Sequence, residues 1–271
     1  MDKRLRKVTD EWNEIADSEW YMSYRTDKVI QKLIKEPETI FYKQTWNSIT
    51  SAFKDLQGKK VCVPSSGNNH AAFAFAALGA KVTSCDISEK QLKYAETIAK
   101  EHNLDIEFFV QDTMELTEVK SNQYDMVYTS EGVHVWINDL NLMYRNIARV
   151  LKEGGVYINC EIHPFTRPFA YEDGKPESMK VFVRKPYDMT GPFDDGVTYH
   201  WRMQDILNAV ASAGLRFEHL DEMRDDRDIG HFWFYEEARA RMNLKEINDY
   251  YDWEVNPYAA LPQWFTLKAT K

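Results

Sequence analysis

Between residues 59 and 163, short apolar runs alternate with stretches of helical length, and this alternation constrains the fold more than any other feature. The runs are KKVCVP, KVTSCD, DIEFFVQD, YDMVYTS and VYINCEIHP. Between them lie AAFAFAALGA, rich in good helix formers and ending at Gly79, and SEKQLKYAETIAKEH, where Ser88 is placed as N-cap and Gln91 as capping-box partner. NDLNLMYRNIARVLKEGG reads as a third helix, closed by two glycines. Strands separated by helices of this length predict parallel βαβ units. Their continuous apolar character predicts cover on both faces. Cys62, Cys85 and Cys160 fall inside the first, second and fifth strands, where small buried hydrophobes are expected.

The flanks read differently. Residues 1–57 place Trp12, Ile15, Trp20, Val29, Ile30, Leu33 and Ile34 near helical spacing, with an interruption at Pro37 and an end at Gly58. Residues 164–200 are rich in Pro, Gly, Asp and Tyr and suggest an excursion with a hairpin around KVFVRK. A helix over WRMQDILNAVASAGL, a strand over LRFEHLDEM, a helical stretch through 232–252 and a final strand in PQWFTLKATK follow. In a chain of 271 residues this organisation is expected to form a single domain, with a helical cap (1–57), a core (58–163), an excursion or lid (164–200) and C-terminal helices and closing strands (201–271).

Charge and composition exclude some functions. The chain carries 34 Lys and Arg against 43 Asp and Glu, a net charge of −9. That counts against a general duplex-binding role, so no nucleic-acid partner is expected. No apolar run approaches the roughly 20 residues of a membrane span. The start MDKRLRKVTDEW has charge without an apolar segment and is not a secretory signal. A cytoplasmic protein without a membrane partner is therefore expected. Three dispersed cysteines form neither a disulfide framework nor a metal hook, and no metal site is expected.

Ligands of open α/β sheets bind beyond the carboxyl ends of the strands. VCVPSSGNNHAAF places a small-residue turn there, ahead of a helix whose amide groups point at whatever is bound. Asp86 ends the second strand about 20 residues after Gly67, the separation at which a carboxylate accepts from a ribose diol. Asp112 ends the third strand and is a candidate acceptor for an exocyclic amine, with Thr113 and Met114 beside a base. The G-x-G-x-x-G fingerprint is absent, which counts against a dinucleotide and favours a nucleoside with an amino-acid tail.

These segments resemble the core of the class I S-adenosylmethionine-dependent methyltransferases, of the small-molecule type. VCVPSSGNN resembles the family's first-strand motif, AKVTSCDISEKQL its second and FFVQDTMEL its third. The string RVLKEGG is characteristic of the helix before strand five, and LPQWFTLKATK resembles the closing strand. The chain departs from the family at the first motif: Val63 replaces an acidic residue, Ser65 and Asn69 replace glycines, and only Gly67 is kept. The resemblance implies a Rossmann-like α/β fold, with a mostly parallel seven-stranded sheet, an antiparallel last strand, helices on both faces, an N-terminal helical cap and a lid after strand five. It implies S-adenosyl-L-methionine as cofactor. Its binding residues would be Ser65, Ser66, Gly67, Asn69, Asp86, Ile87, Asp112, Thr113 and Met114, with Ser130 and Glu131 at the amino-acid end and Tyr21 in the cap.

Methyl transfer from a sulfonium to oxygen, nitrogen or carbon is an in-line displacement, in which the protein positions the partners and excludes water. An acceptor that loses a proton also needs a base, and His134, His163 and His200 are the candidates. An aromatic N-terminus and the excursion together suggest an enclosed site for a small-molecule acceptor, in a monomer or homodimer. HFWFYEEARARM is a candidate second wall or dimer face. Two rivals are a non-catalytic S-adenosylmethionine- or S-adenosylhomocysteine-binding module of the same fold and a nicotinamide oxidoreductase.

Overall fold

A computed structural model of the chain describes residues 3–174, 178–224 and 243–271. Four helices lead: α1 (Lys3–Ile15), α2 (Glu19–Ser23), α3 (Asp27–Lys35) and α4 (Lys43–Ala52). Pro37 interrupts them as expected, opening a short 3-10 turn (Pro37–Ile40) where its missing amide costs nothing. The core follows as β1 (Lys60–Pro64), α5 (His70–Ala77), β2 (Lys81–Asp86), α6 (Glu89–Glu101), β3 (Ile106–Val110), β4 (Tyr124–Ser130), α7 (Val133–Trp136), α8 (Leu140–Val150) and β5 (Leu151–Ile162). The excursion contains a small hairpin, β6 (Phe169–Tyr171) with β7 (Val181–Val183). The described remainder is α9 (Met203–Ser212), β8 (Arg216–Met223), α10 (Leu244–Tyr251) and β9 (Trp264–Thr270). HFWFYEEARARM and the first part of the helical stretch expected through 232–252 lie outside the described residues.

Seven strands form one sheet in the order β3-β2-β1-β4-β5-β9-β8. The pairs among β1 to β5 are parallel, and β9 runs antiparallel to both β5 and β8. The strand order reverses at β1 and β4, which is where an open α/β sheet forms its crevice. Both faces are covered. Val61 and Val63 of β1 pack with α3, α5 and α6, through side chains including Ile30, Phe73 and Ala95. Cys62 between them faces the other layer, with Leu140, Ile147 and Val210 of α8 and α9. All three cysteines are free and buried, as their place in the strands predicts.

Two local expectations need correction. The helix before strand five does not run to the paired glycines; it ends at Val150, and Leu151 already pairs with Tyr124. Gly154, at φ +74°, lets the chain slip register before regular pairing resumes at Val156. Ser88 does cap α6, accepting from the Gln91 amide at 3.2 Å. Gln91 does not close the box, because its side-chain oxygen accepts from Arg25 and so ties α6 to the cap.

Candidate active site

The loop after β1 is built around left-handed backbone. Ser65, Gly67 and Asn69 have φ of +51°, +51° and +64°. Ser65 and Asn69 thus adopt the conformation that glycine would supply, and Asn tolerates it better than most residues. Hydrogen bonds hold them there. The Asn69 side-chain amide donates to the Gly67 carbonyl at 2.9 Å, and its oxygen accepts from the Ser84 hydroxyl at 2.5 Å. Asn69 is 0% exposed, so it shapes the loop from behind rather than reaching a ligand, which corrects its expected binding role.

Further bonds link this loop to the carboxyl ends of β2 and β3. The Gly67 amide donates to Asp86 Oδ2 at 2.8 Å, while Asp86 Oδ1 accepts from the Ser88 amide at 2.8 Å. Ser65 Oγ lies 2.6 Å from Thr113 Oγ1. Asp112 Oδ1 accepts from the Met114 amide at 2.8 Å. The loops after β1, β2 and β3 therefore form one wall. Burial pushes the Asp86 carboxyl up to about 6, despite backbone amides that favour its charge, and burial also raises Asp112.

This wall closes one end of a cavity of about 760 Å³. The cavity spans the sheet edge from β3 to β9. Ser65, Ser66, Gly67, Asp86, Ile87, Asp112, Thr113 and Met114 line it, as do Ser130, Glu131 and Tyr21. The roof is the cap. Trp12 meets Tyr21 and Trp136 edge-on at 6.0 and 5.4 Å, and Tyr21 is buried. Arg4 donates to the carbonyls of Trp136 and Val197, tying α1 to the excursion. His70 Nε2 lies 3.0 Å from the Tyr24 carbonyl, and burial holds that ring down to about 4, so it is neutral. The far end is aromatic and aliphatic, with Ile40, Tyr128, Ile162, Tyr258 and Trp264.

Glu131 sits where the two ends meet. Its backbone is left-handed, at φ +67°, a cost of roughly 1–3 kcal/mol for such a residue. Its amide donates to the Cys160 carbonyl at 2.8 Å. Buried Glu161 clamps the following turn, accepting from the Gly132 amide at 2.6 Å, the His134 amide at 3.0 Å and its neighbour Ile162 at 2.8 Å. Glu131 is an exposed residue and is part of the cavity lining. Desolvation of the carboxyl, with the Glu161 charge adding to it, raises Glu131 to about 7.

The three histidines expected to supply a base do not reach this cavity. His134 is buried beneath it, with Nε2 2.8 Å from the Tyr144 hydroxyl and its ring stacked on Phe265. His163 is fixed at both nitrogens: Nδ1 accepts from the Phe165 amide at 3.1 Å and Nε2 lies 2.8 Å from Glu222. His200 packs on Phe193 in the excursion, and burial with nearby Arg167, Lys185 and Arg184 lowers it to about 3. Burial lowers His134 and His163 as well. The sequence places these residues after strands four and five, but backbone direction turns their side chains away. Glu161, the cap residue Arg4 and the aromatic far wall were not anticipated. An acid inside an apolar parallel strand is the one signal that points to Glu161, since such a group is buried only with partners. Among the described residues there is no cluster of His, Cys, Asp and Glu able to hold a metal ion, and no helix long and apolar enough to cross a membrane.

Residues 64–159 match the family model described as a methyltransferase domain. The sterol 24-C-methyltransferase of Aspergillus fumigatus is 26% identical over 163 residues, 60% of this chain and 40% of that protein. A ubiquinone biosynthesis O-methyltransferase of Bordetella avium is 33% identical over 100 residues, 37% of this chain and 41% of that one. The match and these relatives support a class I S-adenosylmethionine-dependent methyltransferase core over residues 64–159. The chain spans about two fifths of the length of these two relatives. Among solved structures, the geranyl diphosphate C-methyltransferase of Streptomyces coelicolor A3(2), in complex with Mg2+, geranyl diphosphate and S-adenosyl-L-homocysteine, superposes with a TM-score of 0.62. That match covers 99% of this chain and 98% of the other. At 13% identity the likeness speaks for the fold alone.

Proposed function

We propose that the chain is an S-adenosyl-L-methionine-dependent methyltransferase that acts on a small, largely apolar molecule, methylating oxygen, nitrogen or carbon. One observation carries this reading: three hydrogen-bonded loops wall one end of a cavity that continues into an aromatic chamber. The volume suits two small ligands side by side rather than a polymer, since single-ligand clefts begin near ~300 Å³. The cap, core, excursion and C-terminal segment act as one unit around it.

The donor set fits the cofactor. Asp86 would accept from the ribose hydroxyls and Asp112 from the adenine amine, with Ile87, Thr113 and Met114 against the base. Ser65, Ser66, Gly67 and Ser130 would hold the amino-acid end, under Tyr21. When bound, S-adenosyl-L-methionine supplies a methyl group already activated on a positive sulfur. What the chain contributes is orientation and exclusion of water: Trp12, Trp20 and Tyr21 cover the cavity and offer ring faces to a cation. The aromatic and aliphatic far end supports an apolar acceptor, as do relatives named for sterol and ubiquinone biosynthesis.

Mass spectrometry of gently purified protein tests the cofactor, and release of S-adenosylhomocysteine in the presence of apolar phenols, amines and isoprenoid alcohols tests turnover. The reading expects one bound nucleoside per chain and acceptor-dependent release. Binding without release on any acceptor would favour the non-catalytic module; no binding at all would remove both.

A further inference from the structure

The cavity needs a group to take the acceptor's proton; His134, His163 and His200 are elsewhere, and His70, which does line it, is turned to the Tyr24 carbonyl. Of the three carboxylates on its lining, Asp86 and Asp112 belong to the nucleoside loops, whose backbone amides they accept from. Glu131 alone stands at the carboxyl end of β4, between that wall and the chamber of Tyr128, Ile162 and Trp264. Its place is built rather than incidental. A glutamate is an unfavourable choice for a left-handed residue, which glycine or asparagine would occupy with less strain. The protein nevertheless locks it there, through the Cys160 carbonyl on one side and the Glu161 clamp on the other. Strain stabilised by a buried clamp and directed into a cavity is the pattern of a functional residue.

We propose that Glu131 is a catalytic residue facing the acceptor, and that Glu161 is its positioning residue; this rests on the methyltransferase reading above. As the acceptor's oxygen or nitrogen lone pair forms a bond to the methyl carbon, the carbon–sulfur bond breaks and its electron pair stays on sulfur. The acceptor's proton passes to the Glu131 carboxylate and from there to water. The inferred substrate class is therefore an apolar molecule bearing an O–H or N–H that must be lost, such as a phenol or an amine. A carboxyl that titrates near neutrality suits that task. The groups that face it are Glu161 and Cys160 of β5, Tyr128 of its own strand and Tyr21 of α2. Arg4, Asp86 and Asp112 lie elsewhere on the same lining.

Calorimetry with S-adenosylmethionine and S-adenosylhomocysteine at pH 6 and pH 8 tests this on the wild type, Glu131→Gln and Glu131→Gly. A carboxylate near the reacting carbon favours the cationic ligand once ionised, so the affinity ratio of cation to neutral product should rise about fivefold between those pH values in the wild type and stay flat in both variants. Carbon-labelled glutamate should show one resonance, missing in Glu131→Gln, that titrates near 7 and moves down with the cation but not with the neutral product. With any acceptor that supports turnover, Glu131→Gln should lower kcat at least ~100-fold and remove the acid limb of its pH profile, while Glu131→Gly folds as stably as the wild type. The same pH dependence in wild type and variants, or a Glu131 resonance titrating in the ordinary carboxylate range, overturns the proposal. If neither ligand binds the wild type, the parent reading falls and this one with it.

Discussion

The two ends of the cavity are made differently. At the β1–β3 end, every polar group that shapes the wall comes from three loops, and each loop bonds the next: Gly67 to Asp86, Ser65 to Thr113. At the β4–β9 end the wall is collected from α1, α2, the turn after β4, the end of β5 and residues 258–264, which meet mostly through rings and aliphatic side chains. The first end is closed by local hydrogen bonding and is suited to hold one invariant ligand. The second is closed by packing between distant segments, and can change its contents without disturbing the first.

The comparison breaks most visibly at the clamp between the ends. Glu161→Ala leaves three amides, two of them buried, without this acceptor and should cost about 3 kcal/mol of stability, read as a shift in denaturant midpoint. A change below ~0.5 kcal/mol would mean the turn after β4 holds itself. Next, Asp86→Ala should weaken S-adenosylmethionine binding by roughly 1.5–3 kcal/mol and loosen the Gly67 loop, while apolar ligands of the far chamber keep their affinity. If both ligands weaken equally, the ends are not independent.

A pH prediction sharpens the same contrast. Asp86 and Glu131 are both raised in the folded state, to about 6 and about 7. Acids raised on folding contribute stability that is complete below their unfolded values, and it is lost as pH rises through the folded ones. The empty protein should therefore melt at progressively lower temperature between pH 5 and pH 8. Saturating S-adenosylmethionine, a cation, should flatten that slope more than its neutral product does. The smallest effect is expected from the histidines: single replacement of His163 or His200 should leave S-adenosylmethionine affinity within about twofold, as neither touches the cavity, whereas a large loss would return them to the site.

This difference also explains what could be read in advance. The βαβ alternation, the burial of Cys62, Cys85 and Cys160 and the convergence of Gly67, Asp86 and Asp112 follow from short-range pattern and from the geometry of adjacent parallel strands. Asn69 was placed correctly in the chain and wrongly in role, because only its hydrogen bonds to Gly67 and Ser84 reveal that it points backwards. The acceptor end has no local signature. Whether His134 or Glu131 faces the cavity depends on a left-handed residue three positions before the histidine, and a glutamate gives no hint of that conformation. Arg4 reaches Val197 across 193 positions of the chain, a contact that no spacing announces.

The most direct test of the account is titration calorimetry of S-adenosylmethionine into protein stripped of bound nucleoside, run beside Asp86→Ala. The account predicts one site per chain in the wild type and binding at least ~10-fold weaker in the variant. A folded wild type that gives no heat, or a variant that binds as tightly as its parent, would contradict it.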